Sequence, residues 1–227
     1  MRLNKYISSC GITSRRKADD LIVDGKVVIN DKVVRELGII VDPKKDKVVV
    51  AGQLCNLNSD YVYIALNKPV GYVCTHARFH EEQSIFELLP NEYRHLKFAG
   101  RLDKDSEGLL ILSNDGDFIY KLTHPSYKHE KEYEVKLDKP LSEESLTKLE
   151  RGIRLTEGLA KIDHIQVGSN NIYSLVIHQG WKRQIRRMLG EIRSGIQYLK
   201  RVRVGRYEMG RLPVGKYEEI KKEEVIR

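Results

Sequence analysis

No stretch of this chain approaches the roughly 18 uninterrupted apolar residues of a membrane-spanning helix, and the opening Met1-Arg2-Leu3-Asn4-Lys5 lacks the apolar core of a secretory signal. A cytoplasmic protein with no membrane association is the expectation. Cysteine is scarce. Cys10, Cys55 and Cys74 are odd in number, widely spaced and without a C-x-x-C pair, which argues against zinc, redox chemistry and a disulfide framework and in favour of free thiols. His76 and His80 stand four apart with only Glu81 and Glu82 close by, so ordinary surface histidines are a plainer reading than a metal site. No segment repeats with a solenoid period. Acidic residues are also the minority charge: 40 Lys+Arg face 32 Asp+Glu, a formal net charge of +8 over 227 residues. That balance favours a polyanionic partner, nucleic acid first. At 41% hydrophobic, the chain still has enough apolar residues for one or two ordinary cores.

The first fifty-odd residues read as a small module. Leu3, Tyr6 and Ile7 recur at i, i+3, i+4, as an amphipathic helix requires, with Gly11 as a C-cap. A second helix starts after Ser14, a natural N-cap, carries Ala18, Leu21 and Ile22 as its apolar stripe and ends at Gly25. Short strands follow at 26–29, 32–34 and 47–50, the first two joined by the turn pair Asn30-Asp31. Arg2 and Lys5 lie on the first helix, and Arg15, Arg16 and Lys17 in the opening turn of the second. Three cations at a helix N-terminus oppose the helix dipole, which is costly unless an anion is bound there. The bland alternative is a solvated charged face.

Residues 54–60 are polar and suit a linker, and a second domain is expected over 61–227. Strands are predicted at 61–66, halted by Asn67-Lys68-Pro69, and at 108–112, 133–137, 162–167 and 172–177. Helices are predicted at 84–89, 117–122, 142–152 and 183–189. Strands and helices mix without strict alternation, so the fold class is α+β with a largely antiparallel or mixed sheet.

Two clusters can carry chemistry. In Gly100-Arg101-Leu102-Asp103-Lys104-Asp105-Ser106-Glu107-Gly108 a dense polar stretch is held between a glycine and an apolar strand. In an extended conformation Asp103, Asp105 and Glu107 would point the same way, but the spacing of a calcium loop is not completed. In Gln179-Gly180-Trp181-Lys182-Arg183-Gln184-Ile185-Arg186-Arg187-Met188-Leu189, a helix would place Ile185, Met188 and Leu189 on one face and Arg183, Arg186 and Arg187 on the other. Phosphate binding and a solvated amphipathic helix both fit that strip.

The opening string, Arg2 to Asp19 and Gly25 to Asn30, resembles the S4 RNA-binding domain over 1–53. With Leu66-Asn67-Lys68-Pro69-Val70-Gly71, Gly100-Arg101-Leu102-Asp103, Lys131-Glu132-Tyr133-Glu134-Val135, the arginine-rich segment and Leu212-Pro213-Val214-Gly215, the chain resembles pseudouridine synthases of the RsuA/RluB/RluE/RluF family. Several motifs look most like the RluF branch, which acts on large-subunit ribosomal RNA.

The resemblance implies isomerisation of a specific uridine in large-subunit RNA. The N1–C1′ bond breaks, the base turns, and C5 joins C1′. No atom is gained and no redox change occurs, so neither cofactor nor metal is implied. By family position Asp103 is the catalytic carboxylate, a role chemically akin to glycosidase carboxylates. Arg186 matches the arginine that pairs with it. Tyr133 matches the tyrosine that stacks on the uracil and is linked to loss of the C5 proton. Arg101 matches the residue filling the gap left by the flipped nucleotide, and Lys68 a basic residue of packing or RNA contact. Trp181, Lys182 and Gln179 depart from the usual pattern, and Trp181 is suited to stacking on a base. Small-subunit RNA, tRNA, or a noncatalytic role in ribosome assembly remain open alternatives. A monomer is expected.

Overall fold

The computed structural model describes residues 1–57, 61–77 and 81–227. Two compact units emerge, Met1–Tyr61 with Asn114–Gly116, and Val62–Ser113 with Asp117–Arg227.

In the first unit, α1 (Leu3–Ser9) and α2 (Arg15–Val23) bury Leu3, Tyr6, Ile7, Ala18 and Ile22, the stripe the spacing marks out. Ser14 Oγ accepts from the Lys17 amide at 3.3 Å and caps α2. The strands β1 (Val27–Ile29), β2 (Lys32–Val34), β3 (Val48–Val50) and β4 (Gln53–Leu54) pair antiparallel in the order β2-β1-β3-β4. Asn30 and Asp31 both take positive φ, 48° and 64°, as a two-residue hairpin turn demands. The expected linker at 54–60 begins too early: Leu54 belongs to β4, and Cys55 is buried in this core with its amide donating to Val48 O. An apolar thiol filling that core outweighs the polar residues around it. Asn58, Ser59 and Asp60 lie outside the described residues.

The second unit contains β5 (Tyr63–Lys68), β6 (Lys97–Phe98), β7 (Glu107–Ser113), α3 (Gly116–Thr123) from its second residue onward, and β8 (Lys131–Leu137). Then come α4 (Glu143–Arg151), β9 (Ile153–Leu155), β10 (Gly158–Ala160), β11 (His164–Val167), β12 (Ile172–Ile177) and α5 (Gln184–Glu191). The chain continues through β13 (Ile196–Val204), β14 (Tyr207–Glu208), β15 (Tyr217–Glu219) and α6 (Lys222–Val225). The long sheet runs β11-β12-β8-β13-β7-β5-β15, antiparallel except where β13 meets β7, with β6 and β14 added at its side. The fold is therefore α+β with a mixed sheet.

Burial follows position in this sheet. β7 is covered on both faces: Leu109 and Ile111 pack with Phe118 and Leu122, Leu110 and Leu112 with Ile85 and Phe86. β8 alternates, placing Lys131, Tyr133, Val135 and Leu137 on its buried side. The nine-residue β13 is not marked by apolar alternation in the sequence, because Gln197, Lys200, Arg201 and Arg203 interrupt it, yet it sits at the centre between β8 and β7. Residues 84–89 form a 3₁₀ turn over Ile85–Leu88 instead of an α-helix, closed by a capping box between Ser84 and Glu87.

Candidate active site

The segment 100–106 ahead of β7, the start of β8, the end of β12, the middle of β13 and the start of α5 line a cavity of about 280 Å³, close to the lower end of the ~300–1,000 Å³ of small-ligand sites. Asp103, Tyr133 and Arg186 all line it, together with Arg101 and Trp181. The three residues expected to act together thus share one cavity although they lie more than 80 positions apart in the chain at their extremes.

Asp103 stands at the head of a turn in which the Ser106 amide donates to its carbonyl at 3.1 Å. That turn overrides the extended geometry expected for 103–107: Asp103 is half-buried at the cavity while Asp105 is exposed beside the arginines. Among the described residues the Asp103 carboxylate makes no hydrogen bond and no ion pair, and the Tyr133 hydroxyl makes no hydrogen bond. A carboxylate that no neighbour holds is available to a ligand.

The arginines of α5 are held by other carboxylates. Arg183 clamps Asp105 with two bonds of 2.9 and 2.8 Å, fork to fork. Arg186 Nη2 donates to the Asp105 carbonyl at 2.6 Å and to Ser106 Oγ at 3.2 Å, while its Nε sits 3.4 Å from Asp105 Oδ2 without hydrogen-bond alignment. The expected Arg186–Asp103 pair is therefore replaced by Arg186–Asp105, because the turn presents Asp105 to α5. The Arg183 hydrogen bond, followed by the Arg186 and Arg183 charges, holds the Asp105 carboxyl below the usual range. Arg183 adopts left-handed backbone at φ 51°, a strained conformation for a side-chain-bearing residue at a ligand cavity.

Three cations lie deeper. Lys68 is fully buried, with Nζ donating to Pro69 O at 2.9 Å and Ser106 O at 2.7 Å. RNA contact by Lys68 is thereby corrected to packing: no surface remains for a phosphate. Lys131 is 9% exposed and donates to His129 O and His178 O at 3.2 and 3.3 Å. Burial, and then the neighbouring Arg201 charge, pushes its ammonium down to about 8. Arg201 is 1% exposed, with Nε donating to Leu109 O at 2.7 Å and Nη2 unpartnered. Gly108 admits its strand: a Cβ there would stand 2.2 Å from Arg201 O, at φ 102°. Lys131 and Arg201 were not singled out from sequence. The signal for Lys131 was present, since alternation puts it on the same face as Tyr133 and Val135. Arg201 offered none, because its strand reads as polar.

The remaining cations expected to meet RNA are distributed unequally. Arg2, Arg15, Arg16 and Lys17 are exposed on the first unit, Lys5 is half-buried, and Arg101 is exposed at the cavity. Arg187 is held by Glu157 through two bonds of 2.8 Å, so, like Arg183, it spends part of its charge within the protein. His76 stacks on Phe86 at 4.0 Å, and His80 lies outside the described residues.

A sheet-borne cavity with one unpaired carboxylate, a free phenol and a cationic lining defines an enzyme that acts on a nucleotide within a polyanionic chain. Comparison with known proteins gives the class its family. Residues 62–191 match the model described as RNA pseudouridylate synthase, and residues 1–53 match the S4 domain. The dual-specificity RNA pseudouridine synthase RluF of Escherichia coli K12 is 37% identical over 228 residues, covering 100% of this chain and 77% of its own. The ribosomal large subunit pseudouridine synthase B of Bacillus subtilis is 38% identical over 232 residues, covering 100% and 94%. A crystal structure of a pseudouridylate synthase superposes with a TM-score of 0.71 at 27% identity, covering 99% of this chain and 97% of its own. The chain belongs to the RsuA-type RNA pseudouridine synthases with an N-terminal S4 domain, and it isomerises uridine to pseudouridine in RNA.

Proposed function

We propose that the RNA is that of the large ribosomal subunit and that Asp103 is the residue on which the reaction turns. The observation that supports Asp103 most is its carboxylate, half-buried at the cavity and without a partner among the described residues, beside the free hydroxyl of Tyr133. A target uridine leaves its stack and enters the cavity, and Arg101 fills the gap behind it. A carboxylate oxygen of Asp103 bonds to C1′ as the C1′–N1 bond breaks with its electron pair on N1. The base turns, C5 bonds to C1′, Asp103 departs as carboxylate, the C5 proton leaves and N1 takes up a proton. Tyr133 holds the detached base by stacking and stands where that proton is lost. Arg186 fixes the Asp103–Ser106 turn through Ser106 and Asp105, a positioning role in place of direct pairing.

Large-subunit RNA is supported by the name of the Bacillus relative and by the motif pattern, the S4 domain at 1–53 supplying the first RNA contact through Arg2, Lys5, Arg15, Arg16 and Lys17. No helix among the described residues is long and apolar enough to cross a membrane. Tritium release from C5-labelled uridine in large-subunit and small-subunit transcripts tests both parts. Release from large-subunit RNA alone, lost in Asp103→Asn, is the expected result. Full release by Asp103→Asn removes the nucleophile, and release from small-subunit RNA alone removes the target.

A further inference from the structure

Lys131 and Arg201 approach each other in the cavity lining without any carboxylate to balance them: neither forms an ion pair among the described residues, and their hydrogen bonds go to carbonyls of Leu109, His129 and His178. Two adjacent buried cations repel each other and lose hydration, an arrangement that native structures ordinarily neutralise with an acid. We propose that the missing anion is the reaction's own, the detached uracil, held by Lys131 and Arg201 between bond breaking and bond making. The proposal rests on the isomerase reading above and adds two residues to its machinery.

The chemistry requires such a site. When C1′–N1 breaks, the electron pair stays on the base and the negative charge spreads over N1, O2 and O4. Fixed cations in a water-poor cavity stabilise that charge as it develops, without reorganising at the moment of reaction. Geometry puts them in place: Arg201 lies directly across from Tyr133 in the β8–β13 register, and Lys131 is the next residue on the Tyr133 face of β8. A base stacked on Tyr133 therefore has both cations at its edge. Arg201 retains an unpartnered Nη2, and Lys131, with two carbonyl bonds, retains one of its three ammonium protons. A backbone phosphate suits this position less, since the two cations have only 9% and 1% of their surface exposed, while the phosphates of a flipped nucleotide stay near the surface.

The experiment compares uridine with 5-fluorouridine at the target position of an RNA transcript, reading single-turnover loss of the N-linked nucleoside at saturating enzyme and, separately, RNA affinity. Fluorine acidifies the base and makes it a better leaving group, so it needs less cationic help. Lys131→Met should slow uridine on the order of 10²-fold and 5-fluorouridine by clearly less, with affinity unchanged; Lys131→Arg should restore most of the uridine rate. Lys131→Gln repeats the comparison should the Met variant fold poorly. Equal losses on the two bases would assign Lys131 a structural role and overturn the proposal, as would loss of affinity alone, which marks a phosphate contact. An inactive wild-type enzyme would instead overturn the isomerase reading beneath it.

Discussion

Two sets of cations border one cavity and are treated in opposite ways. On the rim, Arg183 and Arg186 converge on Asp105, and one residue on, outside the lining, Arg187 is held by Glu157, each cation answered by a carboxylate. On the floor, Lys131 and Arg201 have none, although burial makes the need greater. Paired cations hold the Asp103 turn against α5 and stabilise the protein; unpaired cations cost stability and are retained for what they do to a ligand. Asp103 repeats the contrast in the acids, unpartnered two residues before the clamped Asp105. Position in a cluster is thus a poorer guide to chemistry than whether the charge is already satisfied.

The sharpest way to break this division is at Asp103. Asp103→Asn should lower turnover by about 10⁴-fold or more while leaving stability within about 0.5 kcal/mol, measured by single-turnover assay and thermal unfolding. A large loss of stability would place Asp103 with the structural set. Lys131→Met should be slow, by on the order of 10²-fold, and yet more stable at pH 7. The ammonium is held down to about 8, so folding disfavours its charged form; stability should rise with pH from about 8 towards the ordinary lysine range, where the unfolded chain alone still holds the proton. The charged form then weakens folding by up to about 3 kcal/mol below pH 8, and the thioether should recover part of it. Activity has the opposite dependence and should fall above pH 8. Arg201 from β13 presses the same way as burial; the His129 imidazole beside the strand is itself pushed down by burial and by the Lys131 charge, and Tyr133 and Asp103 line the same cavity.

Asp105→Asn probes the rim. Releasing Arg183 and Arg186 should destabilise by about 1 kcal/mol, the usual scale for a partly exposed pair, and slow catalysis less than Asp103→Asn or Lys131→Met. Because the Asp105 carboxyl is held below its usual range, its contribution is complete at neutral pH and fades as pH falls through that lowered value. Smallest in rate, and purely electrostatic, is the S4 face: Arg15, Arg16 and Lys17 changed together to Ala should flatten the salt dependence of RNA binding by about 2 in log–log slope without altering the single-turnover rate at saturation.

Much of this was legible in the sequence, and the gaps have physical causes. The i, i+3, i+4 stripe at Leu3, Tyr6 and Ile7 and the Ser14 cap gave the first helices, and the alternation from Tyr133 to Leu137 gave β8 but for its first two residues, Lys131 and Glu132. The central strand β13 was missed because it carries buried charges whose acceptance depends on neighbours far away in the chain, Tyr133 and Leu109 among them. For the same reason Arg201 was invisible. Motif order picked out Asp103, Tyr133 and Arg186, which line one cavity, but a motif does not record which acid an arginine meets; the turn closed by Ser106 and Asp103 decides that.

The most direct measurement is the pair of numbers for Lys131→Met at pH 7: its unfolding midpoint and its single-turnover rate on a uridine-containing large-subunit transcript. A midpoint above wild type with a rate down on the order of 10²-fold is the expected outcome, a cation kept at the expense of stability for the sake of the reaction. A lower midpoint with an unchanged rate would contradict it and make Lys131 an ordinary structural residue.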